Sequence, residues 1–323
     1  MEETTASKET RGTIVAKEMT KKPLIIDCIM FGTDFDMLLL HMHELKHVVD
    51  LFVVSESEIT FQNKPKPLLL LEALERRDPR LGDLIPHIAL ISMQATTTTT
   101  DAPQNPWQNE LQQRSNLSTC LHSLRLHNKI DKDRTMVVCC HDADEIPLVK
   151  DLEALRKRAA KSPWTGCMRG DFDCYVYSMN WKHRQTWTLP VYLCIPPGGH
   201  IHDLALARQR VDDDGKTISV KVADVDTKDE PVGCRGWHLT WFGTEKERVE
   251  KLNSFSHKQE LDRFIGGART IPMAVREGLL LNRKLEKLER VERAPEVPQL
   301  LAKFLPHSAW CDTFESFGKR VTS

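Results

Sequence analysis

Asp142, Asp144 and Glu145 place three carboxylates in four consecutive positions, directly after the apolar run Met136–Cys140 and directly before Ile146 and Pro147. Grouped carboxylates repel one another unless a cation or a bound substrate offsets their charge. Hard oxygen ligands of this kind suit Mg²⁺ or Mn²⁺, which are usually held by one or two carboxylates together with substrate phosphates. If Thr135–Cys140 is a buried strand, Asp142 and Asp144 share a face. They then stand at a strand's carboxyl end, where open α/β sheets bind ligands. One acid can hold the ion while the other reaches a ribose hydroxyl or a metal-bound water. The same residues also fit a plain helix start, with carboxylates satisfying orphan N–H groups.

The flanking sequence predicts the scaffold such a site needs. Pro23–Met30 is a nearly continuous apolar run, which predicts a strand buried on both faces. Phe35–Val48 has apolar residues at helical spacing, and Val49–Ser57 returns to strand character. A polar turn at Asn63–Pro67 leads to a helix over about 68–77, and His87–Ser92 is a third strand. This β-α-β-α-β order predicts a parallel sheet covered by helices. After a low-complexity loop at Thr96–Pro106 come a long amphipathic helix over about 107–128, the strand before the acids, and a helix at Leu148–Lys161. Aromatic-rich β segments follow at Phe172–Lys182 and Thr186–Ile195, then an exposed hairpin or insertion at Val211–Thr227. Beyond Trp237 the pattern is mostly helical and includes a charged helix at Leu281–Arg293. The organisation expected is a disordered tail over 1–22, one large α/β domain over 23–265 and a helical extension over 266–323 packed on it.

Composition narrows the classes. The chain has 323 residues, enough for a sizeable core, and its net charge of −1 gives no bulk attraction to nucleic acid or anionic lipid. No apolar run approaches the roughly 20 residues of a membrane helix, and the polar first 22 residues have no signal-peptide core. Nine cysteines, an odd number with no Cys-x-x-Cys pair, argue against a zinc ribbon and a disulfide framework. The expectation is reduced core thiols in a cytoplasmic protein, or a Golgi-lumenal one if an anchor has been removed. Asn116-Leu-Ser118 is a glycosylation sequon within a predicted helix.

Further stretches carry a resemblance. Asp34-Phe-Asp36 with His43-Glu-Leu45, Val49–Ser57 and Thr60–Pro67 resemble the N-terminal signature of glycosyltransferase family 17, the bisecting β-1,4-mannosyl-glycoprotein N-acetylglucosaminyltransferase family. Asn109-Glu-Leu-Gln-Gln-Arg114 resembles its Asn-Glu-x-x-Gln-Arg element, and Asp142–Pro147 its Asp-Val-Asp-Glu-Ile-Pro. Asn180-Trp-Lys182, Gly236-Trp-His238 and Lys251–His257 fit later blocks in the same order. A family arginine in the first helix stands as His41 here. The resemblance implies a GT-A-like (Rossmann-like) fold, a UDP-sugar donor, a Mn²⁺ or Mg²⁺ ion, and inverting transfer of N-acetylglucosamine to a mannose-containing glycan or glycoprotein.

Under that resemblance Asp144 coordinates the metal, Asp142 supports it or binds ribose, and His238 is the third ligand, with His257 as rival. Phe31, Glu56, Arg114, Asp142, Lys251 and Trp237 are expected on the donor: Glu56 at the uracil or ribose, Arg114 as a bidentate phosphate contact, and Lys251 at phosphate. Of Trp181, Trp237 and Trp241, one is expected against a sugar ring. Inversion needs a base for the acceptor hydroxyl, and Asp173 and Glu260 are the candidates. Two other classes compete: a UDP-sugar or glycan-binding protein without turnover, and a metal-dependent nucleotide phosphohydrolase on the same acidic loop.

Overall fold

The computed structural model describes residues 21–93, 106–209 and 234–304, apart from positions 257, 259–260, 263–265, 283, 293–297 and 299. The N-terminal half alternates strands and helices: β1 (Leu24–Met30), α1 (Phe35–Leu45), β2 (Leu51–Ser57), α2 (Leu69–Glu75), β3 (Ile88–Met93), α3 (Pro106–Leu126), β4 (Met136–Asp142), β5 (Glu145–Pro147) and α4 (Val149–Lys161). The second half holds β6 (Cys167–Val176), β7 (Trp181–Lys182), β8 (Val191–Ile195), α5 (Leu204–Gln209), β9 (Cys234–Thr240), α6 (Glu245–Ser254), α7 (Ile271–Glu277), β10 (Glu289–Arg290) and α8 (Leu301–Phe304).

The continuous apolar runs of β1 and β4 are explained by a sheet covered on both faces. Alternate residues of one strand point to opposite sides. Ile25, Ile29, Val137 and Cys139 pack with Leu38, Leu39 and Met42 of α1 and Leu152 of α4. Ile26, Cys28, Val138 and Cys140 pack with Leu117 and Leu121 of α3 and Leu204 of α5. Each such buried aliphatic side chain contributes roughly 1.5–3 kcal/mol, so a charge at Val137 or Val138 would undo the layer. β4, β1, β2 and β3 run parallel and side by side, as the β-α-β pattern requires. The sheet becomes mixed beyond β4, where β8 pairs antiparallel with β4, and β6 antiparallel with β8. This α/β arrangement is consistent with the expected GT-A-like fold.

The outer half of β6 leaves the main sheet and pairs parallel with β9, which in turn pairs antiparallel with the short β5. This second ladder sets Glu145 opposite His238, and Cys174 of β6 opposite His238 from the other side. Gly236 permits the approach: a Cβ there would run into the Ile146 carbonyl oxygen and the Phe172 ring. β6 and β9 are each followed directly by an aromatic residue with positive φ, Tyr177 at 67° and Trp241 at 60°. Arg248 of α6 steadies both ends, donating from Nε to the Trp241 carbonyl (2.8 Å) and from Nη2 to the Tyr177 carbonyl (3.4 Å).

The charged helix expected at Leu281–Arg293 does not form in its described residues. Leu280 N donates to Glu286 O and Leu288 N to Gly278 O, and β10 pairs with β7. Leu281 and Leu288 are buried beside Tyr177, Trp241 and Ile271, so tertiary packing overrides the helical propensity of a Glu- and Lys-rich run. Residues 1–20 of the expected 1–22 tail, the Val211–Thr227 insertion and nearly all of the Thr96–Pro106 loop lie outside the described residues. The eight cysteines among the described residues are buried and free, as expected of core thiols. The sequon lies within α3, where the buried Ser118 hydroxyl accepts from Leu204 N (2.9 Å). Among the described residues no helix is long and apolar enough to cross a membrane.

Candidate functional site at the carboxyl end of the sheet

β4 ends at Asp142, and a tight turn carries the chain into β5 so that the acids project from the carboxyl edge of the parallel strands. Asp142 sits between two guanidinium groups. Arg208 Nη2 donates to its Oδ2 (2.8 Å), and Arg114 Nη1 faces its Oδ1 at 2.9 Å. Arg114 Nη1 and Asp142 Oδ1 are both buried, so this ion pair is shielded from solvent. Burial works against ionisation of Asp142, but Arg114 and Arg208 outweigh it and hold the carboxyl well below the usual range. Arg208 also grips the buried Glu145 with both terminal nitrogens, Nη2 to Oε1 at 2.6 Å and Nη1 to Oε2 at 2.9 Å. Glu145 Oε2 closes the turn by accepting from Asp142 N at 2.7 Å.

Asp144 faces a different group of partners. Its Oδ2 accepts from Lys251 Nζ at 2.7 Å, and its Oδ1 lies 3.7 Å from His238 Nε2. Burial opposes the Asp144 charge, yet Lys251 and then His238 lower its pKa. Burial pushes the His238 imidazole the other way, towards its neutral form, against the pull of Asp144 and Glu145. The ring is held on both sides. Its Nδ1 meets the Cys174 thiol at 3.6 Å, and Trp187 stacks on it with centroids 4.3 Å apart. The Trp187 indole Nε1 donates to Glu145 Oε1. Asp34, which caps α1 by accepting from Met37 N (3.2 Å), completes the surroundings. Burial lifts its carboxyl to about 7, with Lys251 opposing and Asp144 reinforcing the rise.

Asp144 and His238 fit a divalent cation. Two ligands about 2.1 Å from one ion lie roughly 3–4 Å apart, and Oδ1 and Nε2 face each other at 3.7 Å, too far for a hydrogen bond. A neutral imidazole and an ionised carboxylate are the protonation states that such ligands need.

A second group lies behind the turn. Asp27 of β1, His41 of α1 and His141 of β4 are fully buried, with ligand atoms within 4.8 Å of one another, so the group could hold a metal ion. Asp27 Oδ2 meets His41 Nε2 at 2.8 Å, and Asp27 Oδ1 meets His141 Nδ1 at 2.7 Å. The outer nitrogens reach the Ala143 carbonyl (His41 Nδ1, 3.1 Å) and the Tyr192 hydroxyl (His141 Nε2, 3.0 Å). Burial acts to raise Asp27, but His141 and His41 prevail and keep it well below the carboxylate range.

The structure therefore brings together Asp142, Asp144, His238, Arg114 and Lys251. Other expected residues lie elsewhere. Both Glu56 oxygens accept backbone N–H groups at the start of α2, from Leu70 at 3.1 Å and Leu71 at 3.2 Å, so this acid serves as a helix cap. Phe31 and Trp237 are core residues, and Trp181 packs with the Tyr177 and Leu281 cluster. The ring of Trp241 lies 5.8 Å from Lys251 Nζ. Asp173 pairs with Lys182 at 2.7 Å and alternates with Cys174 along β6, which directs it away from His238. His257 and Glu260 lie outside the described residues. Arg208, Trp187, Asp34 and the Asp27 group received no role from the sequence. Neither did Lys66, whose buried Nζ has no hydrogen-bond partner among the described residues and lies 5.9 Å from the Phe31 ring centroid. Asp27 carried a readable signal: a carboxylate inside the apolar run Leu24–Met30 must be paired.

The sequence model of glycosyltransferase family 17 matches residues 3–200. A β-1,4-mannosyl-glycoprotein 4-β-N-acetylglucosaminyltransferase from Rattus norvegicus is 38% identical over 65 residues, a stretch covering 20% of this chain and 12% of the rat enzyme.

Proposed function

This chain belongs to glycosyltransferase family 17, and on that premise we propose that it transfers N-acetylglucosamine from UDP-N-acetylglucosamine to a mannose-containing glycan. A divalent cation, Mn²⁺ or Mg²⁺, would be held by Asp144 and His238. The observation that carries this reading is the Asp144 Oδ1 to His238 Nε2 spacing of 3.7 Å at the carboxyl edge of a parallel sheet. The printed name of the rat relative supports the sugar and the acceptor class.

Each residue then has a task. The cation supplies Lewis-acid stabilisation of charge on the departing diphosphate. Asp142, clamped by Arg114 and Arg208, would share its carboxylate with a donor hydroxyl. Lys251 balances Asp144 until phosphate arrives, and its ammonium can then turn to the anion. Lys66, whose charge faces Glu56 and whose Nζ makes no hydrogen bond among the described residues, offers a further anion contact beside Phe31. In the transfer the acceptor oxygen bonds to the anomeric carbon as the bond to UDP breaks. The hydroxyl proton passes to a carboxylate base, for which Glu260 is the remaining sequence candidate.

The test is calorimetric titration of UDP with and without Mn²⁺, followed by assay of UDP-N-acetylglucosamine hydrolysis and of transfer to mannose-containing glycans. UDP binding strengthened at least tenfold by Mn²⁺, and lost in Asp144→Asn, is expected. UDP binding that ignores Mn²⁺ and gives neither hydrolysis nor transfer would establish the binding-module reading, which the Lys251–Asp144 ion pair favours. Release of inorganic phosphate without sugar preference would establish the phosphohydrolase.

A further inference from the structure

The hydrogen-bond partners around Asp27 constrain where the protons sit. A carbonyl oxygen only accepts, so His41 Nδ1 must carry a proton to meet the Ala143 carbonyl at 3.1 Å. His41 Nε2 then faces Asp27 Oδ2 at 2.8 Å, and a bare nitrogen lone pair there would confront a carboxylate oxygen. One proton between the two atoms removes the conflict, and because the Asp27 carboxyl is held well below its usual range that proton belongs on the ring, which is then an imidazolium. On the other side, His141 Nδ1 donates to Asp27 Oδ1 at 2.7 Å, while Nε2 can accept from the Tyr192 hydroxyl at 3.0 Å. One proton suffices for His141. The group is thus one negative charge, one positive charge and one neutral ring, all fully buried and fully paired.

Its connections run to the acidic turn. His141 directly precedes Asp142, and Ala143 lies between Asp142 and Asp144. Asp27 therefore grips the turn at two points, through His141 before the first acid and through His41 at the peptide between the two. That peptide sets the distance and relative aim of the two carboxylates. We propose that Asp27 and His41 form a buried ion pair that acts as a positioning strut for the Asp142–Asp144 turn and not as a second metal site. The catalytic importance of the strut rests on the function proposed above, whereas its charge state does not.

The two claims separate in one experiment on the full chain. Long-range ¹⁵N–¹H spectra of histidine-labelled protein, assigned with His41→Gln and His141→Gln, report which ring nitrogens carry protons. We expect His41 protonated on both nitrogens and His141 on Nδ1 alone, with no metal in the dialysed protein by elemental analysis. A stoichiometric metal at this group, or a His41 nitrogen without its proton, overturns the proposal. The second arm compares kinetics of His41→Gln, which retains one donor but no charge, with wild type. The Michaelis constant for the UDP-sugar should rise about tenfold or more, by analogy with outer-shell losses at metal sites, while that for the acceptor stays unchanged and circular dichroism shows a native fold. A folded His41→Gln protein with wild-type constants also overturns it. If the wild type binds no UDP-sugar at all, the proton pattern still stands or falls by itself, and the failure belongs to the proposed function.

Discussion

Trp187 lies over His238 with ring centroids 4.3 Å apart and planes inclined by 26°, and its indole N–H is anchored on Glu145. One residue in the loop before β8 thereby fixes the imidazole plane and ties it to the carboxylate that closes the acidic turn. Trp187→Phe retains an aromatic face and loses the anchor, whereas Trp187→Ala loses both. Partners that orient a metal-bound histidine typically alter affinity by about 10–100-fold. Mn²⁺ affinity, followed by electron paramagnetic resonance, should therefore fall modestly in Trp187→Phe and at least tenfold in Trp187→Ala. Equal affinity in both variants and wild type would remove Trp187 from the site.

Lys251 and an incoming cation compete for Asp144. The ammonium holds Oδ2 at 2.7 Å, and the carboxylate lifts the lysine pKa in spite of burial. Lys251→Met removes the competitor and leaves Asp144 with unmatched negative charge. Mn²⁺ alone should then bind more tightly than in wild type, by roughly tenfold if a single ion pair of about 1.4 kcal/mol is relieved. Affinity for UDP in the presence of saturating Mn²⁺ should fall, because a phosphate contact is lost. Calorimetry of the two ligands separately checks this opposition of signs. A parallel loss of both affinities would make Lys251 merely structural.

Asp34 should make stability depend on pH. Its folded-state pKa of about 7 lies above the ordinary 3.8, so the native state holds a proton that the unfolded chain releases. By linkage, stability falls as pH rises from about 4 to about 7 and is level beyond. Asn carries no such charge and still caps a helix. Asp34→Asn should therefore match wild type near pH 4 and exceed it at pH 8. A shift of three units has an upper bound of about 4 kcal/mol, and roughly 1–2 kcal/mol remains after relaxation of a partly buried site. Urea unfolding at the two pH values reads the difference. An equal effect at both would place the pKa elsewhere.

How much of this was readable depends on the range of the interaction. The acids of the turn were visible because they are adjacent in sequence and follow an apolar run. The parallel core was visible because β1, β2 and β4 are short and apolar on both faces. Arg208 was hidden: it acts across 66 positions from Asp142 and closes an ordinary six-residue helix. Trp187 resembled any tryptophan of a β-rich segment. Glu56 stood at a strand's carboxyl end, as a ligand-binding acid would, yet the start of α2 claims both its oxygens. The 281–293 segment has helical composition, yet its described residues pack with Tyr177 and Trp241 and pair with β7.

Arg208 offers the most direct measurement of how the turn is held. It is buried and binds Asp142 once and Glu145 twice, and the neighbouring carboxylates raise its pKa in spite of burial. Arg208→Met leaves Glu145, which has no exposed surface, with Trp187 and a backbone N–H as its remaining partners. Breaking one side of a buried ion pair typically costs about 3–5 kcal/mol, and the urea midpoint should fall accordingly. Arg208→Lys should recover little, since an ammonium cannot reproduce the forked contact with two carboxylates. The informative variant is Arg208→Met combined with Glu145→Gln, in which the stranded charge is gone. Its stability should return at least halfway towards wild type, while Asp142, still facing Arg114, keeps part of its donor affinity. A double variant no more stable than Arg208→Met alone would show that Arg208 acts through packing rather than charge.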